Sequence, residues 1–384
     1  MRRIMDRCRY PELVTDLDKL RHNIEKVKRM CDHDGVMVAG VIKGCTGLPE
    51  CVEQFERAGC EFIATSRLEQ LEPLREMGIQ TPFMMIRIPM ISEAADVVRL
   101  ADISLNSEIS VLRELNRQAG LQDRTHRVIL MADLGDLREG FWDREEMLEV
   151  ALAVENDMHN LELAGVGTNL GCYGSIAATP EKLRELVDIA ETIEAKLGRE
   201  LEYISGGATS SLPRIIEGNM PDRINLLRVG EGILLAKDLQ DLWGYDLSFL
   251  NRDAFVIRTE IVEIKDKPTY PCGQIMFDAF GNTPEYEDRG VRKRAIIALG
   301  KVDYGAPEDL VPLAKGISVI GASSDHTILD IEDAEREYET GDIVEFCISY
   351  SNLVYVTSSP NIRKVFLTTR TKLQKSKHKL RLKS

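Results

Sequence analysis

The sequence predicts a TIM-type (β/α)8 barrel followed by a second, all-β domain. Three observations predict it. Eight short apolar stretches between Val36 and Val229 alternate with helical stretches wherever the connection is long enough. Alternation of this kind means parallel strands joined by crossover helices. Eight units close into a barrel, whereas six would leave an open doubly wound sheet. Past about Ala236 the helical periods give way to strand-like runs between Gly and Pro turns. The expected boundaries are 10–236 for the barrel, 237–368 for the β-domain and 369–384 for a basic, frayed tail.

The elements follow in order. Pro11 to Thr15 reads as a strand outside the barrel count, free to join the β-domain. Asp16 is placed to cap a helix through Leu20, Ile24 and Val27. Val36 to Ile42 is a short apolar run that suits a strand buried on both faces. Further strands are expected at 61–64, 82–86, 101–105, 126–132, 161–166, 201–204 and 224–229. Between them, Pro49, Ser66, Ser92, Ser107, Asp143, Thr179 and Thr209 open helices. The β-domain strands are expected at 255–264, 294–299, 317–320, 326–331, 343–348 and 352–357.

Composition narrows the setting. No apolar run reaches membrane-spanning length, and no apolar stretch follows the N-terminal arginines, so neither a membrane anchor nor a secretory signal is expected. The eight cysteines form no C-x-x-C pair, which suits a reducing cytoplasm and argues against a zinc module. Net charge is −14, and nine Lys or Arg with no acid fall after Pro360, so the first 360 residues carry −23. An acidic body of this kind repels nucleic acid. The tail alone is a low-specificity signal and is read as a solvated end.

The chemistry is expected at the carboxyl ends of the barrel strands. The first strand leads to Lys43, flanked by Gly44 and Gly47. Partial desolvation of a lysine there would lower its pKa and sharpen its nucleophilicity, as a Schiff-base lysine for pyridoxal phosphate (PLP) requires. By itself the motif reads first as a strand end reaching solvent. The other ends bring Thr65 to Arg67, Arg87, Asn106 to Glu108, Asp133 to Gly140, Gly167 to Asn169 with Cys172 and Tyr173, Ser205 to Ser211, and Arg228 to Glu231. The Ser-Gly-Gly-Ala-Thr-Ser-Ser turn at 205–211 and the glycines at 230 and 232 fall after strands seven and eight. Barrels commonly bind phosphate there.

These residues resemble a known family. Val-Ile-Lys43-Gly, Asp133-Leu-Gly-Asp-Leu-Arg-Glu-Gly140, the 205–211 loop, Leu-Arg228-Val-Gly-Glu-Gly and Gly321-Ala-Ser-Ser-Asp-His326 are similar, in this order, to the PLP-dependent alanine racemase family. The likeness is nearest to the branch that includes ornithine racemase, and it runs from about Tyr10 to Leu367. The resemblance implies a homodimer with shared active sites, with an amino acid as its small-molecule substrate. It implies that Lys43 carries the cofactor, that Ser210, Ser211, Gly230 and Glu231 hold its phosphate, and that Arg228 faces the ring nitrogen. Related decarboxylases carry a glutamate in place of that arginine, and an arginine leaves the ring a weaker electron sink. Arg138 matches the arginine that assists cofactor and substrate carboxylate.

The sequence also departs from the family pattern. Gly300-Lys301-Val302-Asp303-Tyr304-Gly305 replaces the string holding the usual tyrosine base, Asn169 replaces the histidine stacked on the cofactor, and Met131 replaces a lysine. The expected activity is two-base racemisation, most readily of a basic amino acid such as ornithine. Lys43 serves one face, and Lys301, Asp303 or Tyr304 the other. Asp325 and Glu108 are candidates to bind the substrate's cationic side chain. Competing readings are a decarboxylase or aldolase on this scaffold, a non-catalytic PLP-binding homeostasis protein, and a barrel hydrolase using Asp133 and Asp136. No metal site is expected.

Overall fold

The computed structural model describes residues 10–369 apart from Asp278, Ala279, Asn282 and Pro284. The predicted basic tail, 369–384, lies outside the described residues except for Thr369. The chain forms two compact units. One comprises Leu20–Leu250. The other joins the N-terminal segment through Lys19 to the segment from Asn251 onward.

In the first unit eight strands close into a parallel barrel: β2 (Met37–Val41), β3 (Phe62–Thr65), β4 (Phe83–Met85), β5 (Ile103–Asn106), β6 (His126–Ala132), β7 (Leu161–Thr168), β8 (Tyr203–Ser205) and β9 (Leu226–Val229). Closure comes from β9 pairing with β2, with Arg228 opposite Ala39. The barrel interior is an apolar cluster that includes Val41, Ala64, Met84, Leu105, Met131 and Leu226. Because side chains alternate along a strand, Val41 facing inward puts Lys43 on the inner side one step beyond the strand end. Leu226 does the same for Arg228.

The helices begin where sequence chemistry dictates, with exceptions. Asp143 accepts from the amides of Glu145 and Glu146, and Thr179 accepts from that of Lys182. Asp16 accepts from the Lys19 amide. Ser66 and Ser107 do not cap. The segment after Ser66 starts as a 3-10 turn at Leu68–Gln70 with no side-chain cap, and the helix after Ser107 is capped by Glu108.

The second unit is an antiparallel sheet. Its central strand is β10 (Phe255–Pro268), flanked by β11 (Val291–Ile297) and β15 (Ile343–Cys347). Beyond them lie β12 (Val311–Pro312), β13 (Ser318–Ala322) and β14 (Thr327–Asp330). The early strand β1 (Glu12–Asp16) pairs antiparallel with β10 and parallel with β16 (Arg363–Leu367). One expectation fails here. Residues 352–357, expected as a strand, lie in a helix spanning Tyr350–Ser358. The Ser349 side chain accepts from the Asn352 amide and the Asn352 side chain accepts from the Ser349 amide. This reciprocal cap outweighs the β-branched content of the segment.

Candidate active site on the barrel rim

Lys43 sits in a 3-10 turn, Lys43–Cys45, directly after β2. The turn is closed by hydrogen bonds from the Thr46 amide to Lys43 O and from the Gly47 amide to Ile42 O. Gly47 has φ 66°, and a Cβ there would lie 2.9 Å from Gln70 Cβ, so the turn that aims the lysine needs glycine. The side chain is half-buried. Burial holds its amine below the ordinary lysine range. The positive charges of Arg138 and Arg228 push the same way, against Cys172 and Glu139.

Arg228 stands on β9 and is 3% exposed. It donates to Ser205 Oγ at 2.5 Å and to the Thr168 carbonyl at 2.8 Å. Neither acceptor is charged. Burial pushes this guanidinium down to about 10, while Glu139 opposes the shift. It remains a cation at neutral pH.

Arg138 and Glu139 lie near the end of the loop after β6 and form a two-pronged ion pair. The loop is closed at its root by Phe141 N–H donating to Met131 O at 2.7 Å and by Asp133 N–H donating to Phe141 O at 3.0 Å. Asp133 Oδ1 accepts from the amides of Gly135 and Leu137. Asp136 is 1% exposed and accepts from four amides of the next rim loop: Gly171, Cys172, Tyr173 and Ile176. Both aspartates are thus taken up by backbone, which removes the hydrolase reading that used them as acid and base.

The loops after β8 and β9 meet. Gly232 N–H donates to Thr209 Oγ1 at 3.1 Å. A Cβ on Gly230 would lie 3.2 Å from Val41 Cβ. The loop runs into a 3-10 turn, Thr209–Ser211, and the start of a helical turn leaves amides without internal acceptors. The serines behave differently from each other. Ser211 is fully buried and donates to Gly206 O, whereas the half-buried Ser210 donates to Leu170 O. Glu231 Oε1 accepts from the amides of Lys237 and Asp238. Glu231 Oε2 and Asn169 Nδ2 are buried with no hydrogen-bond partner among the described residues. Burial raises the Glu231 carboxyl to about 7, helped by Asp238.

The remaining predicted residues divide. Glu108 is exposed and accepts from the amide and hydroxyl of Ser110, so it is a helix cap. In the β unit, Tyr304 is wholly buried. Its hydroxyl shares a 2.7 Å hydrogen bond with Thr327 Oγ1, and burial pushes the phenol up to about 12. Tyr304 is therefore a core residue rather than a base. Asp303 is buried too and accepts from Ser359 Oγ at 3.1 Å. Lys301 opens the turn Lys301–Tyr304, and its Nζ lies 4.2 Å from the centre of the Phe280 ring. Asp325 is exposed and accepts from Ser324 Oγ. Sequence reasoning gave no role to Glu139 or Cys172, although both stand in the strand-end segments it singled out.

Among the described residues no helix is long and apolar enough to cross a membrane. Residues 15–238 match the family model "Alanine racemase, N-terminal domain". The chain is 39% identical to ornithine racemase of Acetoanaerobium sticklandii, over 93% of this chain and all of that one. It is 36% identical to lysine racemase of Thermotoga maritima, over 93% and 98%. In fold it is similar to the alanine racemase of Streptomyces lavendulae, with a TM-score of 0.73 at 19% identity, covering 93% of this chain and 96% of that one. Barrel, rim and relatives agree, and the chain belongs to the alanine racemase family.

Proposed function

We propose that this protein is a PLP-dependent amino-acid racemase acting on a basic amino acid, with ornithine the first candidate and lysine the second. The observation that carries this reading is the charge balance of the rim. Three basic side chains, Lys43, Arg138 and Arg228, stand there with two carboxylates in reach, Glu139 and, beside Arg138, the amide-bound Asp136. Such a site favours an anionic ligand. PLP fits it on further grounds. The Asn169 amide is a buried donor without an acceptor, and the loops after β8 and β9 bring glycine backbone close together. The substrate class follows the two relatives whose names specify ornithine and lysine.

Lys43 would hold the cofactor, Arg228 would donate to its ring nitrogen, and the backbone of the 205–211 loop with Ser210, Gly230 and Glu231 would hold its phosphate. When bound, the cofactor withdraws electrons from the substrate's α-carbon and makes the α-hydrogen acidic. Lys43, with its lowered pKa, takes or returns that proton on one face. Lys301 of a second copy serves the other face, so a homodimer with shared sites is part of the proposal. Arg228 disfavours protonation of the ring nitrogen, which limits side reactions such as decarboxylation. The cysteines described are all free, which supports a reducing, cytoplasmic setting.

The test is a visible absorption spectrum of the purified protein before and after borohydride, with peptide mapping of the reduced adduct and polarimetry on ornithine and lysine. A band lost on reduction, with the label on Lys43, and loss of optical rotation with either amino acid are expected. Absence of a band after adding PLP would overturn the reading.

A further inference from the structure

We propose that Glu139 determines the preference for a basic substrate, by accepting the substrate's side-chain ammonium while Arg138 turns to its carboxylate. The inference rests on the racemase reading and assigns the charge recognition that Glu108 and Asp325 were expected to supply. Glu108 is committed to capping a helix, and Asp325 is an exposed residue of the other unit.

Three observations lead to Glu139. Its carboxylate is held on both oxygens by Arg138, and its side chain is only 18% exposed against 42% for the arginine. Its position is fixed by the loop root. Gly140 has φ 134°, and a Cβ there would lie 2.4 Å from Asp133 N, so glycine alone allows the loop to close behind Glu139. Its charge also reaches the centre of the rim, acting on both Lys43 and Arg228.

A substrate carboxylate binding Arg138 competes with Glu139 for the same guanidinium. A neutral amino acid would take the arginine and leave Glu139, poorly hydrated, without a counter-charge. A basic amino acid brings one anion and one cation. Exchange of partners then leaves every charge paired, with Arg138 on the carboxylate and Glu139 on the side-chain ammonium. The Arg138–Glu139 pair thus stands in for the two ends of the substrate.

The test uses the PLP-loaded enzyme and two substrates, L-ornithine and L-norvaline, which differ by the terminal amino group. Polarimetry gives kcat and KM. Calorimetry gives the affinities of α-methylornithine and α-methylnorvaline, which have no α-hydrogen and cannot turn over. Glu139→Gln should cut the preference for ornithine by about ten- to a hundredfold. The change should appear in KM and in α-methylornithine affinity more than in kcat. An unchanged preference with both affinities intact overturns the assignment and leaves the racemase reading standing. A wild-type enzyme that racemises neither ornithine nor lysine overturns both. Should Glu139→Gln fail to take up PLP, Glu139→Asp carries the test. Its shorter reach should weaken α-methylornithine and leave α-methylnorvaline within about twofold, and equal weakening of the two overturns the assignment.

Discussion

Arg228 on the barrel rim and Tyr304 in the β unit are both almost sealed from solvent, yet they spend their polar atoms differently. The Tyr304 hydroxyl belongs to a closed circuit: it bonds Thr327, whose hydroxyl donates to Leu299 O, while Asn352 donates to the tyrosine's own carbonyl. Every group in that circuit is satisfied inside the unit. Arg228 donates to one hydroxyl and one carbonyl and keeps its positive charge with no carboxylate bonded to it among the described residues. Beside it, Asn169 and Glu231 each keep a buried atom without a partner. Closed circuits of this kind specify a fold, whereas an open set of buried donors is suited to a ligand. The contrast supports the proposal that the cofactor chemistry sits in the barrel and that Lys301 is the β unit's contribution to it.

Four experiments would break or sharpen this contrast, beginning with the largest expected effect. Asp136 forms a closed circuit on the rim, because it ties two loops together through four amides. Asp136→Ala should cost about 3 kcal/mol in urea denaturation. A loss below about 1 kcal/mol would mean that water replaces the carboxylate readily and the loops are not clamped. Lys301→Ala should slow racemisation about a hundredfold. It should also restrict exchange of the α-hydrogen with deuterated solvent to one enantiomer, the one served by Lys43. Exchange from both enantiomers at the wild-type rate would remove Lys301 as a base.

Glu231 gives a pH test. Its carboxyl is raised to about 7 from the ordinary 4.5, so the protonated form favours the folded state. That stability is fully present below pH 4.5 and is lost as pH rises through 7. This group should cost wild-type protein about 3 kcal/mol across this window, and Glu231→Gln should flatten the curve. Parallel curves for the two proteins would show that the carboxyl ionises without cost. Tyr304→Phe should be the mildest change. Loss of one buried hydrogen bond costs about 1 kcal/mol by thermal or chemical unfolding, with racemisation kept within about twofold. A hundredfold fall in rate would return the tyrosine to the catalytic machinery.

The barrel was legible because its signals are local. A buried strand and the cap of the next helix lie within a few residues of each other, as with Asp143 and Thr179. The rim positions of Lys43 and Arg228 were legible for the same reason, since one follows a short apolar run and the other stands in one. What escaped notice depends on distance along the chain. The strand β16 is short and begins with Arg363 and Lys364, and its partner β1 lies some 350 residues away. The role of Asp136 depends on amides 35 to 40 residues downstream, so in sequence it could only be read as a carboxylate near another carboxylate. The closed circuit around Tyr304 joins residues from 299 to 352. No spacing rule separates that tyrosine from a base three residues removed from its usual place.

The pairing of β1 with both β10 and β16 has a consequence for synthesis. This strand leaves the ribosome some 350 residues before β16. At cellular translation rates that interval is on the order of 20 to 70 s. During it the barrel can form behind an N-terminal strand whose sheet does not yet exist. The exposed segment Glu-Leu-Val-Thr-Asp carries an acidic residue at each end, which lowers its tendency to pair with a stranger while it waits. Moving this strand to the C-terminus by circular permutation would let β1 follow β16 directly, with β10 already made, and such a permutant is expected to fold with less aggregation than the natural order.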